Sequence, residues 1–139
     1  MPVNVNLIQG GIGIVFLSDG IVLGREIIEA NRTIYTRENL LRLKYKIIDR
    51  TNCTEYCVSG AEMQTIAAQD QIASEVNPNI LFLHIATTPV QYGMIRMWQA
   101  YIDETGLRSE IFEDRASADA WLKDNLRCAS QKDGTEPKD

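Results

Sequence analysis

The sequence predicts an α/β fold: a single domain with a mixed β-sheet of about five strands and about four helices over it. Three observations carry that expectation. Short runs rich in β-branched residues alternate with longer stretches of helical period. Ile80-Leu81-Phe82-Leu83-His84-Ile85-Ala86 is apolar almost throughout, as suits a central strand covered on both faces. Ser59 and Glu62 stand three residues apart before a helical stretch, which is the spacing of a capping box.

Taken in order, residues 4–9 alternate polar and apolar side chains, the period of a half-buried strand. Gly10-Gly11 is a turn signal, and residues 12–17 form a second, β-branched strand that pairs with the first as a hairpin. Ser18-Asp19-Gly20 punctuates again. Residues 24–35 change to a helical period, with Ile27, Ile28 and Ile34 on one face. Residues 36–39 read as a connector and 41–48 as a third strand, ended by Asp49. A polar loop is expected over 50–58. The helix capped by Ser59 follows and is stopped by Val76-Asn77-Pro78-Asn79.

After the strand at 80–86, a helix is expected over about 90–104, with Gly106 just beyond its end. A fifth strand covers 109–112, and Asp114 or Arg115 opens the last helix, whose inner face holds Ala116, Ala120, Trp121 and Leu122. The domain is drawn over residues 1–127. Residues 128–139 are polar and read as a loose tail.

Length and composition narrow the function classes. A chain of 139 residues favours one core and buries roughly two-thirds of its unfolded surface. The net charge of −5 speaks against a broad nucleic-acid footprint, which needs a basic surface. No apolar run approaches the ~20 residues that span a bilayer. The first residues lack the basic and apolar regions of a secretion signal, so a cytoplasmic location is expected. Three cysteines, an odd number, fit a reducing compartment.

The working edge is expected where a strand ends and the next helix begins. There the sequence offers Tyr92, Gly93 and Arg96, with Asp49 at the end of another strand. Arg96 supplies a permanently charged fork for carboxylate or phosphate. Gly93 permits close approach, and Tyr92 adds an aromatic surface. The duller alternatives place Met97 and Trp98 in the core and Arg96 in an ion pair with Asp49. Cys53 and Cys57 have C-x-x-x-C spacing but too few companions for structural zinc, so no metal is expected. Gly10-Gly11-Ile12-Gly13 lies between two strands, which is the wrong context for a dinucleotide loop. His84 reads as a hydrogen-bonded core residue. No nucleophile or acid–base constellation accompanies these groups, so neither catalytic residues nor a cofactor are expected.

Three segments together resemble the SpoIIAA-like family, whose fold is related to STAS domains and to lipid carriers of the CRAL-TRIO type. They are Ile12-Gly13-Ile14-Val15-Phe16 with the stretch 20–29; Tyr45-Lys46-Ile47-Ile48-Asp49; and Tyr92-Gly93-Met94-Ile95-Arg96-Met97-Trp98 with Phe112-Glu113-Asp114 and Ala118-Asp119-Ala120-Trp121-Leu122. The resemblance covers about residues 5–125. It implies a non-enzymatic binding or regulatory domain that holds a lipid or another amphipathic small molecule near the 91–98 helix. It also implies an alternative, a protein-interaction regulator of the anti-sigma-factor-antagonist kind, in which Ser59 takes the place of the phosphorylated serine. Those antagonists have a short Asp-Ser-Ser-Gly-type turn where this chain has residues 50–58. A homodimer through an exposed sheet edge is a further expectation.

Overall fold

The structure, a computed structural model, describes residues 3–102 and 105–134, with side chains as far as residue 126. Its five strands are β1 (Val3–Ile8), β2 (Gly13–Leu23), β3 (Tyr45–Cys57), β4 (Leu81–Ile85) and β5 (Arg108–Phe112). They form one sheet in the order β1-β2-β3-β4-β5. β1 and β2 are antiparallel, and every other neighbouring pair is parallel. The helices are α1 (Gly24–Ile34), α2 (Arg37–Arg42), α3 (Gly60–Val76), α4 (Pro89–Ile102) and α5 (Arg115–Gly134). The α/β class, the mixed five-stranded sheet and the hairpin-like first pair agree with the sequence reading. The described residues form five α-helices, four of them of seven residues or more, in keeping with the about four expected.

The short one is α2, which takes the expected connector and the first two residues of the expected third strand, so that β3 begins at Tyr45 rather than Leu41. Thr36 nucleates it, its hydroxyl accepting from the Asn39 N–H at 3.1 Å. A larger difference concerns β2 and β3. Ser18-Asp19-Gly20 does not end β2. The strand absorbs the punctuation through register shifts between Leu17 and Asp19 and between Gly20 and Ile21, with Gly20 at φ 70°. β3 likewise runs on through the expected loop, and Val22 pairs with Tyr56 and Leu23 with Cys57. α5 continues past Arg127 into the stretch read as a tail, while residues 135–139 lie outside the described ones.

The sheet separates two apolar layers. On one face, Ile14, Phe16, Ile48 and Phe82 pack with Ile27 of α1, Met63, Ile66 and Ala67 of α3, and Trp98 and Ile102 of α4. On the other, Val15, Tyr45, Ile47, Leu83 and Ile85 pack with Ala118 and Leu122 of α5. Strand alternation decides which residue goes where: in β3, Tyr45, Ile47 and Asp49 face α5, while Lys46, Ile48 and Arg50 face the other helices. Close approach of α1 to α3 is eased by Gly24, where a Cβ would stand 2.9 Å from the Glu62 Cβ.

Candidate functional site

The residues picked out at the strand-end edge do not converge. Asp49 lies on the α5 face, where its carboxylate accepts from the Thr51 N–H at 3.0 Å and meets Arg115 at 3.6 Å. Arg115, not Arg96, is therefore the partner of Asp49. Arg96 is exposed on the outer side of α4, its guanidinium carbon 5.9 Å from the centre of the Tyr92 ring. Tyr92 is half exposed, and a Cβ at Gly93 would meet nothing within 4 Å, so nothing there requires glycine. Trp98 is buried as expected, but Met97 is exposed. Ser59 is exposed and caps α3. Its hydroxyl accepts from the Glu62 N–H at 3.1 Å, and the Glu62 carboxylate accepts from the Ser59 N–H at 2.9 Å.

What does converge lies beneath α4. Lys46 and Arg50 from β3, His84 from β4 and Asp70 from α3 are all at least nine-tenths buried. His84 stands opposite Ile48 in the β3–β4 register, between the two cations of β3. These four side chains line one cavity of about 30 Å³, together with Phe16, Ile48, Tyr56, Met63, Met94 and Trp98 among others. On the measure by which one water needs about 10–15 Å³, it has room for roughly two waters.

One half of this cluster is closed. Lys46 Nζ donates to Asn31 Oδ1 at 2.8 Å, to the Tyr35 hydroxyl at 2.8 Å and to Asp70 Oδ1 at 3.3 Å. It also lies 4.2 Å from the centre of the Phe16 ring. Asp70 accepts in addition from the Tyr35 hydroxyl at 2.6 Å and from Trp98 Nε1 at 2.8 Å. Each charge thus has three partners, which offsets the cost of burying it. Burial lowers the Lys46 pKa, and the neighbouring Asp70 opposes that shift. Burial and then Asp70 hold the Tyr35 hydroxyl well above the usual phenol range. The network ties α1, β3, α3 and α4 together.

The other half is open. Arg50 reaches only weak partners: the Ile48 carbonyl at 3.4 Å, the Tyr56 hydroxyl at 3.4 Å and His84 Nδ1 at 3.3 Å. Its Nε and the His84 Nε2 are buried and, among the described residues, have no hydrogen-bond partner. Among the described residues, no carboxylate lies within ion-pair distance of Arg50. Trp98 covers the imidazole with ring centres 4.5 Å apart. Burial, followed by the charges of Arg50 and Lys46, pushes the His84 pKa well below the usual imidazole value.

Sequence reasoning missed Arg50 by assigning it to a loop. The signal was present: in a strand that runs past Asp49, residues 46, 48 and 50 share a face with apolar Ile48 between two cations. Asp70 on the apolar stripe of Met63, Ile66, Ala67 and Ala73 was a second signal. Cys53 is buried and Cys57 partly exposed, both as free thiols. Among the described residues, no three His, Cys, Asp or Glu side chains gather as metal ligands. No described helix is long and apolar enough to cross a membrane. Comparison with family models, with curated proteins and with solved structures gives no match.

Proposed function

We propose that the protein is a non-enzymatic binding module that takes a small amphipathic molecule at the strand-end edge of the sheet, beneath the helix carrying residues 91–98. The observation behind this reading is the cavity under α4 with its mixed lining. Phe16, Ile48, Met63 and Met94 give it an apolar wall, and Arg50 gives it a buried cation that has no counter-charge among the described residues. Buried polar groups without partners are costly, and they persist where a ligand uses them. The cavity is far below the ~300–1,000 Å³ of a drug-sized site, so the ligand, or the part of it held inside, is small. A SpoIIAA-like, STAS-type domain in the cytoplasm, acting as a homodimer, belongs to the same reading. Arg96 and Tyr92 then form the outer surface of the helix that covers the ligand.

The test is native mass spectrometry of protein purified from its own cells, followed by organic extraction. A stoichiometric bound compound of constant mass is the expected result. Bare protein that also gains no thermal stability from any member of a metabolite panel sinks the reading.

A second reading, the regulator switched at Ser59, is favoured by one observation: the Ser59 hydroxyl is exposed at a helix N-terminus, where added negative charge is favourable. It requires an added phosphate mass in protein from its own cells that disappears in Ser59→Ala.

A further inference from the structure

Arg50 and His84 present the cavity with two hydrogen-bond donors and no acceptor. The contact between them fixes the proton. A guanidinium only donates, so His84 Nδ1, 3.3 Å from Arg50 Nη1, is the acceptor. The neutral ring then carries its hydrogen on Nε2. Among the described residues the buried Nε2–H and the buried Nε–H of Arg50 are both unpartnered, and both side chains line the same cavity.

The charges point the same way. Lys46 and Asp70 cancel one another across 3.3 Å. Tyr35 is held in its protonated form and His84 in its neutral form. Arg50 is left over, so the buried cluster carries one net positive charge.

We propose that this cavity is a binding site for one small monovalent oxyanion, a carboxylate group, held by Arg50 Nε–H and His84 Nε2–H. The proposal rests on the binding-module reading above and names the charged part of its ligand. A carboxylate supplies an acceptor to each orphan donor and cancels the excess charge. Its plane matches that of the guanidinium. Tyr56, whose hydroxyl accepts from Arg50 Nη2 at 3.4 Å, keeps a proton of its own to donate. The space, roughly that of two waters, admits the group and little more. Phe16, Ile48, Ile95 and Trp98 around it keep water away, which strengthens each charge-assisted bond. The carboxylate belongs either to a free short-chain acid or to the head of a longer amphipath.

The test uses the full chain, dialysed free of small acids and titrated with sodium formate, with sodium chloride at equal ionic strength as control. His84 is the only histidine, so its imidazole nitrogens are assigned without further labelling. The expected result is an Nε2–H tautomer whose signal shifts saturably with formate, together with a rise in Tm that chloride does not produce. Arg50→Gln should weaken formate binding about tenfold or more. His84→Phe, which keeps a ring and removes the donor, should weaken it several-fold and serves if Arg50→Gln does not fold.

An Nδ1–H tautomer, or formate that leaves the imidazole and Tm unchanged, overturns the proposal. A series of straight-chain acids separates the two sources. Affinity greatest for the shortest acids marks a free acid, and affinity rising with length marks an amphipath head. A neutral compound recovered from native protein and retained by Arg50→Gln overturns this proposal and leaves the binding module standing. Formate binding by a protein that yields no extractable compound and gains no thermal stability from any amphipathic compound does the reverse.

Discussion

Lys46 and Arg50 sit four residues apart on the same face of the same strand, and both are almost fully buried. Their surroundings are opposite. Lys46 has an amide, a phenol and a carboxylate around it, and its carboxylate partner is itself saturated by Tyr35 and Trp98. Among the described residues Arg50 has a carbonyl, a phenol and an imidazole, all at 3.3 Å or beyond, and one nitrogen without a partner. Burial of a charge therefore does not define its role. A buried cation whose partners are complete holds helices to a sheet, while one whose partners are incomplete has capacity left for something else.

The comparison breaks most directly at Asp70. Asp70→Asn removes the charge that offsets Lys46 and should cost about 3–5 kcal/mol, read by urea unfolding at neutral pH. A loss under about 1 kcal/mol would mean that the Lys46 side is no more closed than the Arg50 side.

Acid titration probes the open side. The folded His84 pKa lies below its unfolded value of about 6.5, so the unfolded chain binds the extra proton first. Stability from this group is complete above about pH 6.5 and falls as the pH drops below it, by about 1.4 kcal/mol per pH unit until the folded pKa is reached. Subtracting the profile of His84→Phe from that of the parent isolates this slope. A difference that is flat between neutrality and pH 5 would show that the fold does not depress the pKa of the ring.

Arg50→Met sharpens the contrast from the other direction. An apolar chain of similar length replaces a cation that lacks a counter-charge, so stability should change by no more than about 1 kcal/mol, and an increase fits the argument. A loss comparable with that of Asp70→Asn would make Arg50 structural. Outside both regions, Ser59→Ala should cost ~1 kcal/mol through the lost cap on α3, whatever the state of the cavity.

The two regions were unequally legible in the sequence. The closed one left traces: Asp70 lies on the apolar stripe of α3, and Trp98 reads as core. The open one was hidden by a boundary. Asp49 followed by Arg50-Thr51-Asn52 has the composition of a loop, yet β2 continues alongside and supplies β3 with ladder partners as far as Cys57. Tertiary pairing overrode local polarity there, and bulges at Leu17–Asp19 and Gly20–Ile21 made the pairing possible. Tyr92, Gly93 and Arg96 were legible as a helix but not as a surface. In α4 the buried positions are Gln91, Ile95, Trp98 and Ile102, and that phase turns the three outward. The α3 cap was the clearest signal, because a capping box needs only four consecutive residues and no distant partner.

The uneven covering of the sheet has a consequence for how the molecule comes into being. Helices α1 to α4 arise between strands, so the face they cover is dressed as the sheet grows. Val15, Ile47, Leu83 and Ile85 on the opposite face wait for α5, which follows all five strands. At a synthesis rate of roughly 5–20 residues per second, that apolar surface stays bare for about a second or more after β5 has emerged. Until α5 closes over it, the sheet displays the kind of apolar surface that makes a folding intermediate prone to aggregate.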